Sequence, residues 1–150
     1  MNYEPKDPDF EARVRASFAR QAFMAALGAE LVTVTPGEVV IALPFREDLT
    51  QQHGFLHAGV AASVVDSACG YAALTLMPPG TGVLSVEFKV NLLAPAAGER
   101  FIATGRVVKA GKTLSVCAGE VAADRGGERT VVALMQATMM TLRDRAGVAD

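Results

Sequence analysis

Gln51-Gln52-His53-Gly54-Phe55-Leu56-His57-Ala58-Gly59-Val60-Ala61-Ala62-Ser63-Val64-Val65-Asp66-Ser67-Ala68-Cys69-Gly70-Tyr71-Ala72-Ala73-Leu74 is a polar loop running straight into an apolar segment. From Ala58 to Leu76 nearly every side of a helix would be apolar, so a helix here must be surrounded by other chain. Pro78-Pro79-Gly80 closes it. Gly54 to Met77 is long enough for a membrane span. It is, however, rich in Ala, Gly and Ser, carries Asp66 and lacks flanking basic anchors, which favours a buried helix in a soluble protein.

Asp66 is the only Asp, Glu, Lys or Arg between Asp48 and Glu87. A carboxylate in apolar surroundings costs several kcal/mol in desolvation unless it is paired, hydrogen-bonded or protonated. No basic side chain lies near it in sequence. A group kept at a loss to stability is a candidate for chemistry; an acid at a subunit seam or bonded to a distant strand is the plainer alternative.

Around this helix the remaining pattern is mostly strand. Glu11 to Leu27 has helical spacing, with Asp9 as cap and Gly28 as stop. Leu31–Val34 and Val39–Leu43 read as short strands about Pro36-Gly37, and Pro44 to Phe55 as loop. After the apolar helix, Leu84, Val86, Phe88, Val90 and Leu92 alternate with Ser85, Glu87, Lys89 and Asn91, an unbroken period of two. Strands over Phe101–Lys109, Leu114–Ala122 and Thr130–Leu142 follow, joined by short turns. A helix apolar all round is covered when one antiparallel sheet curls about it. The expected class is therefore α+β, a hotdog fold with five to six strands wrapped around a long central helix. It forms a single domain over 1–150, with an N-terminal helical extension at 1–28 and a flexible tail at 143–150.

Composition narrows the function. The chain has 150 residues, 51% hydrophobic and 20% charged, which suits one globular domain rather than a disordered chain. A formal net charge of -2 gives no electrostatic reason to expect nucleic acid or an anionic membrane. Cys69 and Cys117 stand far apart with no His cluster, so neither a zinc site nor a disulfide scaffold is indicated. The first nine residues carry mixed charge and two prolines, unlike a secretory signal, and a cytoplasmic location is expected.

The loop-to-helix junction holds the chemistry. The first N–H groups of a helix are unpaired and carry the positive end of its dipole. Ala58 and Gly59 are small enough for a ligand carbonyl to approach those donors, which suit a developing oxyanion. Gly59, Ser63, Asp66 and Gly70 fall on one face of small residues with the acid in its middle. His57 reads as structural, bonding the loop backbone, and His53 as an exposed loop residue able to touch substrate. Phe55 and Tyr71 flank the groove, with Leu56 assigned to the core. Cys69 reads as buried and inert. Ser85 shares the parity of Glu87 and Lys89, which points it away from its own helix and limits it to a sheet edge or subunit seam.

Gln-x-x-Gly-x-x-His-Ala-Gly, with Asp nine residues after His57, resembles the PaaI-type branch of the hotdog acyl-CoA thioesterases. The family pattern is Asn-x-x-Gly-x-x-His-Gly-Gly followed by Asp or Glu at that spacing. Ser85-Val86-Glu87, Pro95 and Lys109-Ala110-Gly111-Lys112-Thr113 extend the resemblance, which runs from about Leu31 to Leu142. It implies hydrolysis of an acyl-CoA or aryl-CoA, with CoA as part of the substrate and no other cofactor or metal. Asp66 would act as general base, or less favourably as nucleophile. Ala58 N–H, with Gly59, would polarise the carbonyl. Gln51, in the family's Asn position, would hold the carbonyl or the water, and Ser85 would orient the water. His53, Gly54, His57, Phe55 and Tyr71 would border the substrate, with Lys109 and Lys112 near the CoA phosphates beside Arg106. The resemblance also implies a homodimer or a homotetramer built as a dimer of dimers, its sites shared across the dimer interface. Gln51 for Asn and Ala58 for Gly are departures from the pattern. Two other functions remain open: a hotdog hydratase or dehydratase pairing His53 with Asp66, and a non-catalytic acyl-CoA binding module.

Overall fold

The computed structural model describes residues 3–150; residues 1 and 2 of the N-terminal segment lie outside the described residues. The element order is α1 (Phe10–Ala19), α2 (Ala22–Leu27), β1 (Glu30–Thr35), β2 (Glu38–Pro44), a 3-10 turn at Glu47–Leu49, α3 (Ala58–Leu74), β3 (Gly82–Leu92), β4 (Arg100–Lys109), β5 (Leu114–Arg125) and β6 (Glu128–Leu142). All six strands join one antiparallel sheet in the order β1-β2-β4-β5-β6-β3. The sheet wraps α3, whose Val65, Ala68, Cys69, Ala72 and Leu74 are fully buried among Val39, Ile41, Phe101, Cys117, Val121 and Met139. This is the hotdog architecture, and the alanine-rich composition of α3 suits both helix formation and close approach to the sheet.

What allows that approach is a pair of glycines. Gly105 on β4 and Gly119 on β5 are directly opposite in register, and both lie beneath α3. A Cβ at Gly105 would stand 2.3 Å from the Ala68 carbonyl carbon, and one at Gly119 would stand 2.5 Å from Val65 Cγ2. At Gly105 the backbone of the helix rests on the backbone of the sheet, and at Gly119 the Val65 and Cys69 side chains rest on it.

Two local expectations change. The helix expected over Glu11–Leu27 is broken at Arg20-Gln21, where Gln21 is extended (φ -80, ψ 93). No glycine or proline sits there. The turn frees the Gln21 side chain to bond Tyr71 and Ser67, a tertiary preference that local spacing does not show. At the start of α1, Asp9 makes no side-chain cap; Asp7 instead accepts from the Asp9 N–H at 3.0 Å and from Arg13 at 2.8 Å. Gly28 does end the helical segment, in the left-handed region at φ 72.

The second change moves a candidate site residue. The alternation in β3 is not continuous: its register against β6 shifts between Ser85 and Glu87, from Ser85↔Met139 to Glu87↔Thr138. This bulge at Val86 reverses the parity of the strand. Ser85 therefore shares a face with the buried Met139 and turns toward α3, while Glu87 stays on the outer face and accepts from Thr138.

Replacing Gly105 by alanine is expected to destabilise the fold by about 3 kcal/mol, the upper part of the overpacking range, because the clash is with helix backbone that no rotamer change relieves. Urea unfolding of the Gly105→Ala protein beside wild type measures it.

Candidate active site

Asp66 projects from the middle of α3 toward the edge strand β3, and Ser85 donates to its Oδ1 at 2.7 Å. The same hydroxyl lies 3.4 Å from Met139 Sδ. The other carboxylate oxygen, Oδ2, has no protein hydrogen bond among the described residues, so it is free to accept. Burial pushes the Asp66 carboxyl above its ordinary range, and the Ser85 hydrogen bond opposes part of that rise. Two hollows meet at this residue. One is an open groove of about 560 Å³ toward the start of α3, lined by Gly59, Ala62, Ser63, Ser67, Phe23 and Phe88. The other, of about 130 Å³, lies toward Gly70 and Tyr71.

The N-terminus of α3 is built by a tight loop. Gly54 holds φ 82, and its N–H donates to the Gln51 carbonyl at 3.0 Å. The Gln51 side-chain oxygen accepts from the His53 N–H, which leaves the Nε2 amide group as the free end of that side chain. His57 caps the helix: its Nδ1 accepts from the Gly59 N–H at 2.9 Å. Its ring is thus held as an acceptor at Nδ1, and the Gly59 donor is engaged. The Ala58 N–H, by contrast, has no partner among the described residues. Gln51, Phe55, Leu56 and Ala58 line a cavity of about 310 Å³ with Leu92, Ala94 and Pro95.

Within one chain these two groups of residues stand apart. Asp66 is two turns beyond Ala58, about 12 Å along the helix axis, and does not border the Gln51–Ala58 cavity. His53 is exposed, 3.4 Å from Gln52 Nε2, and shares no hollow with Asp66. Tyr71 is buried, its hydroxyl 3.3 Å from both Ser17 Oγ and Gln21 Nε2. Lys109 and Lys112 are exposed at the β4–β5 turn. The register Leu114↔Met140↔Leu84 puts that turn at the end of the sheet where Ser85 lies. Arg106 is committed to Glu38 at 2.7 Å and Glu120 at 3.8 Å.

The cysteines are buried; burial pushes the Cys69 thiol far up and the Cys117 thiol up to about 12, so neither serves as a thiolate. Among the described residues no group of three or more His, Cys, Asp or Glu side chains is placed to hold a metal, and no helix is long and apolar enough to cross a membrane. Sequence reasoning missed Ser17, Gln21, Ser67 and Asp150, all of which line the small hollow beside Asp66. Their polarity was visible, and Ser17 and Gln21 stand i, i+4 in the expected helix, but nothing in the sequence spacing brings that pair and Asp150 beside Asp66.

The thioesterase superfamily model matches residues 53–130. A thioesterase family protein from Silicibacter pomeroyi is 53% identical, covering 89% of this chain and 98% of its own, with a TM-score of 0.87. The E. coli PaaI protein from the phenylacetic acid degradation operon shares the fold at 22% identity and a TM-score of 0.80, covering 94% of this chain and 96% of its own. Human acyl-coenzyme A thioesterase 13 is 36% identical over 86 residues, 57% of this chain and 61% of that one. The chain therefore spans less than two thirds of the length of this relative and of others like it.

Asp66→Asn is expected to be more stable than wild type at neutral pH. With the folded pKa raised above the unfolded 3.8, the native state binds the extra proton, so stability falls as pH rises through that window and stays lower above it. The advantage of the Asn variant should shrink toward zero below pH 3.8. Asp7 and Asp48, held low by Arg13 and Arg46, are common to both proteins and cancel. Urea midpoints from pH 3 to pH 8 test the difference; equal midpoints throughout would contradict it.

Proposed function

The chain belongs to the thioesterase superfamily, and from that membership we propose that it hydrolyses an acyl-CoA to the free acid and CoA, with Asp66 as the general base. Its reaction class is thioester hydrolysis. The observation that carries the assignment is the half-buried Asp66, one oxygen held by Ser85 at 2.7 Å and the other unpartnered, at the junction of two hollows. Desolvation makes this carboxylate a stronger base than a solvated one, while the Ser85 bond holds back part of that rise.

The steps follow from these atoms. Asp66 Oδ2 takes a proton as the oxygen of a water attacks the thioester carbonyl carbon, with Ser85 fixing the carboxylate. Charge moves onto the carbonyl oxygen, which is received by the free Ala58 N–H at the positive end of α3 and by Gln51 Nε2. Collapse breaks the C–S bond, and the CoA sulfur leaves with the proton held by Asp66. His57 positions this loop through the Gly59 N–H, so Gly59 contributes closeness of approach rather than a donor.

The spacing of about 12 Å between acid and donor within one helix is too great for one carbonyl to touch both. A second copy supplies the missing half, Asp66 and Ser85 of one chain facing Gln51 and Ala58 of the other. The unpaired edge strand β3, with Leu84, Val86 and Phe88 exposed, supports a homodimer, alone or within a dimer of dimers. Lys109 and Lys112 are the basic side chains offered to the CoA phosphates. Two free buried cysteines suit the reducing cytoplasm.

Thiol release from a panel of acyl-CoAs tests this. Asp66→Asn is expected to lower kcat by about 10²–10⁴-fold, and His53→Ala to retain turnover with any effect confined to KM. Ser85→Ala should move the acid limb of the kcat/KM profile to higher pH, because the bond that holds the Asp66 pKa down is gone. Turnover that survives Asp66→Asn sinks the mechanism; a requirement for His53 points to the dehydratase chemistry; binding without thiol release points to a non-catalytic module.

A further inference from the structure

The hollow of about 130 Å³ beside Asp66 is bordered by Ser17, Gln21, Ser67, Tyr71 and Asp150. These groups form one network. Ser67 Oγ donates to Gln21 Oε1 at 3.1 Å, Gln21 Nε2 donates to the Tyr71 hydroxyl at 3.3 Å, and Ser17 Oγ lies 3.3 Å from the same hydroxyl. Ser17 also donates to Asp150 Oδ1 at 2.7 Å, and the Val83 N–H donates to Asp150 Oδ2 at 3.2 Å. Ser17, Gln21 and Asp150 lie outside residues 53–130, so this part of the wall comes from the N-terminal helices and the C-terminal segment, while Ser67 and Tyr71 come from within the stretch the superfamily model matches.

We propose that this hollow is the acyl end of the site, and that Gln21 with Tyr71 selects a compact acyl group carrying a neutral hydroxyl over a long saturated chain. The inference rests on the thioester hydrolase reading and deepens it. Asp66 stands between the small hollow and the wider groove, so a thioester held against it extends one arm into each. The wider groove, with Phe23 and Phe88, opens toward the edge where the second copy's Gln51 and Ala58 face Asp66, and so is the side from which the pantetheine arm of CoA reaches the acid; the smaller one is left for the acyl group. Its volume is near that of an engineered cavity of about 150 Å³ that accepts benzene, which suits roughly one small ring or a few carbons. An alkyl end would cover the second Gln21 Nε2 hydrogen and the spare lone pairs of the Ser67 and Tyr71 hydroxyls without pairing them, whereas a hydroxyl on the acyl group pairs with them. The carboxylates of Asp66 and Asp150 border the same space and oppose an anionic acyl end, with Arg20 offsetting Asp150 only from 3.9 Å.

The test compares kcat/KM for 3-hydroxybutyryl-CoA, butyryl-CoA, lauroyl-CoA and succinyl-CoA in wild type, Gln21→Leu and Tyr71→Phe. Wild type is expected to favour 3-hydroxybutyryl over butyryl by about tenfold or more, with lauroyl and succinyl the poorest. Gln21→Leu should erase the hydroxyl preference and raise lauroyl relative to the others, and Tyr71→Phe should reduce the preference in part. A variant that merely packs badly lowers all four values together and leaves the ratios unchanged. Wild type that takes lauroyl as readily as 3-hydroxybutyryl, or ratios that stay fixed in both variants, overturns the inference while the hydrolase reading stands. Absence of thiol release from every substrate overturns the hydrolase reading, and this inference with it.

Discussion

The close seating of α3 on the sheet, backbone on backbone at Gly105 and side chain on backbone at Gly119, is the constraint on which the rest of the structure depends. Gly105 and Gly119 sit side by side in adjacent strands, and any side chain at either would meet the helix at well under van der Waals distance. Seated this low, α3 is covered on most of its circumference by one curled sheet. It needs no second layer for Val65, Ala68, Cys69 and Leu74 to lose contact with water. The alanines of α3 and the two glycines are complementary parts of the same fit. Large side chains on either side would have required a wider sheet.

That seating also sets where the acid goes. Val65 and Ala68 are pressed on the glycine saddle, so Asp66, between them in sequence, is turned toward the edge of the sheet and stays half-buried. There it meets Ser85, delivered by the bulge at Val86. The desolvation that makes Asp66 costly to the fold is also what makes it a better base, and one hydrogen bond moderates both effects. Stability and chemistry therefore pull in opposite directions at this position.

The two ends of the chain complete the surroundings of the acid. Helices α1 and α2 supply Ser17 and Gln21, and the last residues fold back so that Asp150 bonds Ser17 and the Val83 N–H. The stretch matched by the thioesterase superfamily model provides α3, most of the loop before it, and β3, β4 and β5. Segments outside it add to the walls of the space next to Asp66. The small hollow is therefore walled from both sides of that boundary, Ser67, Tyr71 and Ser85 coming from within the matched stretch and Ser17, Gln21 and Asp150 from outside it.

The sequence by itself determined a good deal here. The apolar helix from Ala58, the single acid within it, the strand order after it and the sheet wrapped around it all follow from side-chain character read at fixed periods, which are local properties. The loop from Gln51 to Gly59 was legible for the same reason, since a cap and a glycine turn are short-range features. Only the tertiary structure decided that Ser85 faces Asp66, because a bulge in β3 against β6 reverses a parity that the sequence shows as unbroken. It alone broke the first helix at Gln21, where bonds to Tyr71 and Ser67 outweigh the helical spacing. It alone brought residues 17, 21 and 150 beside the acid. Register, helix seating and the meeting of distant segments depend on which surfaces pack together, and periodicity along one strand or helix carries no record of that.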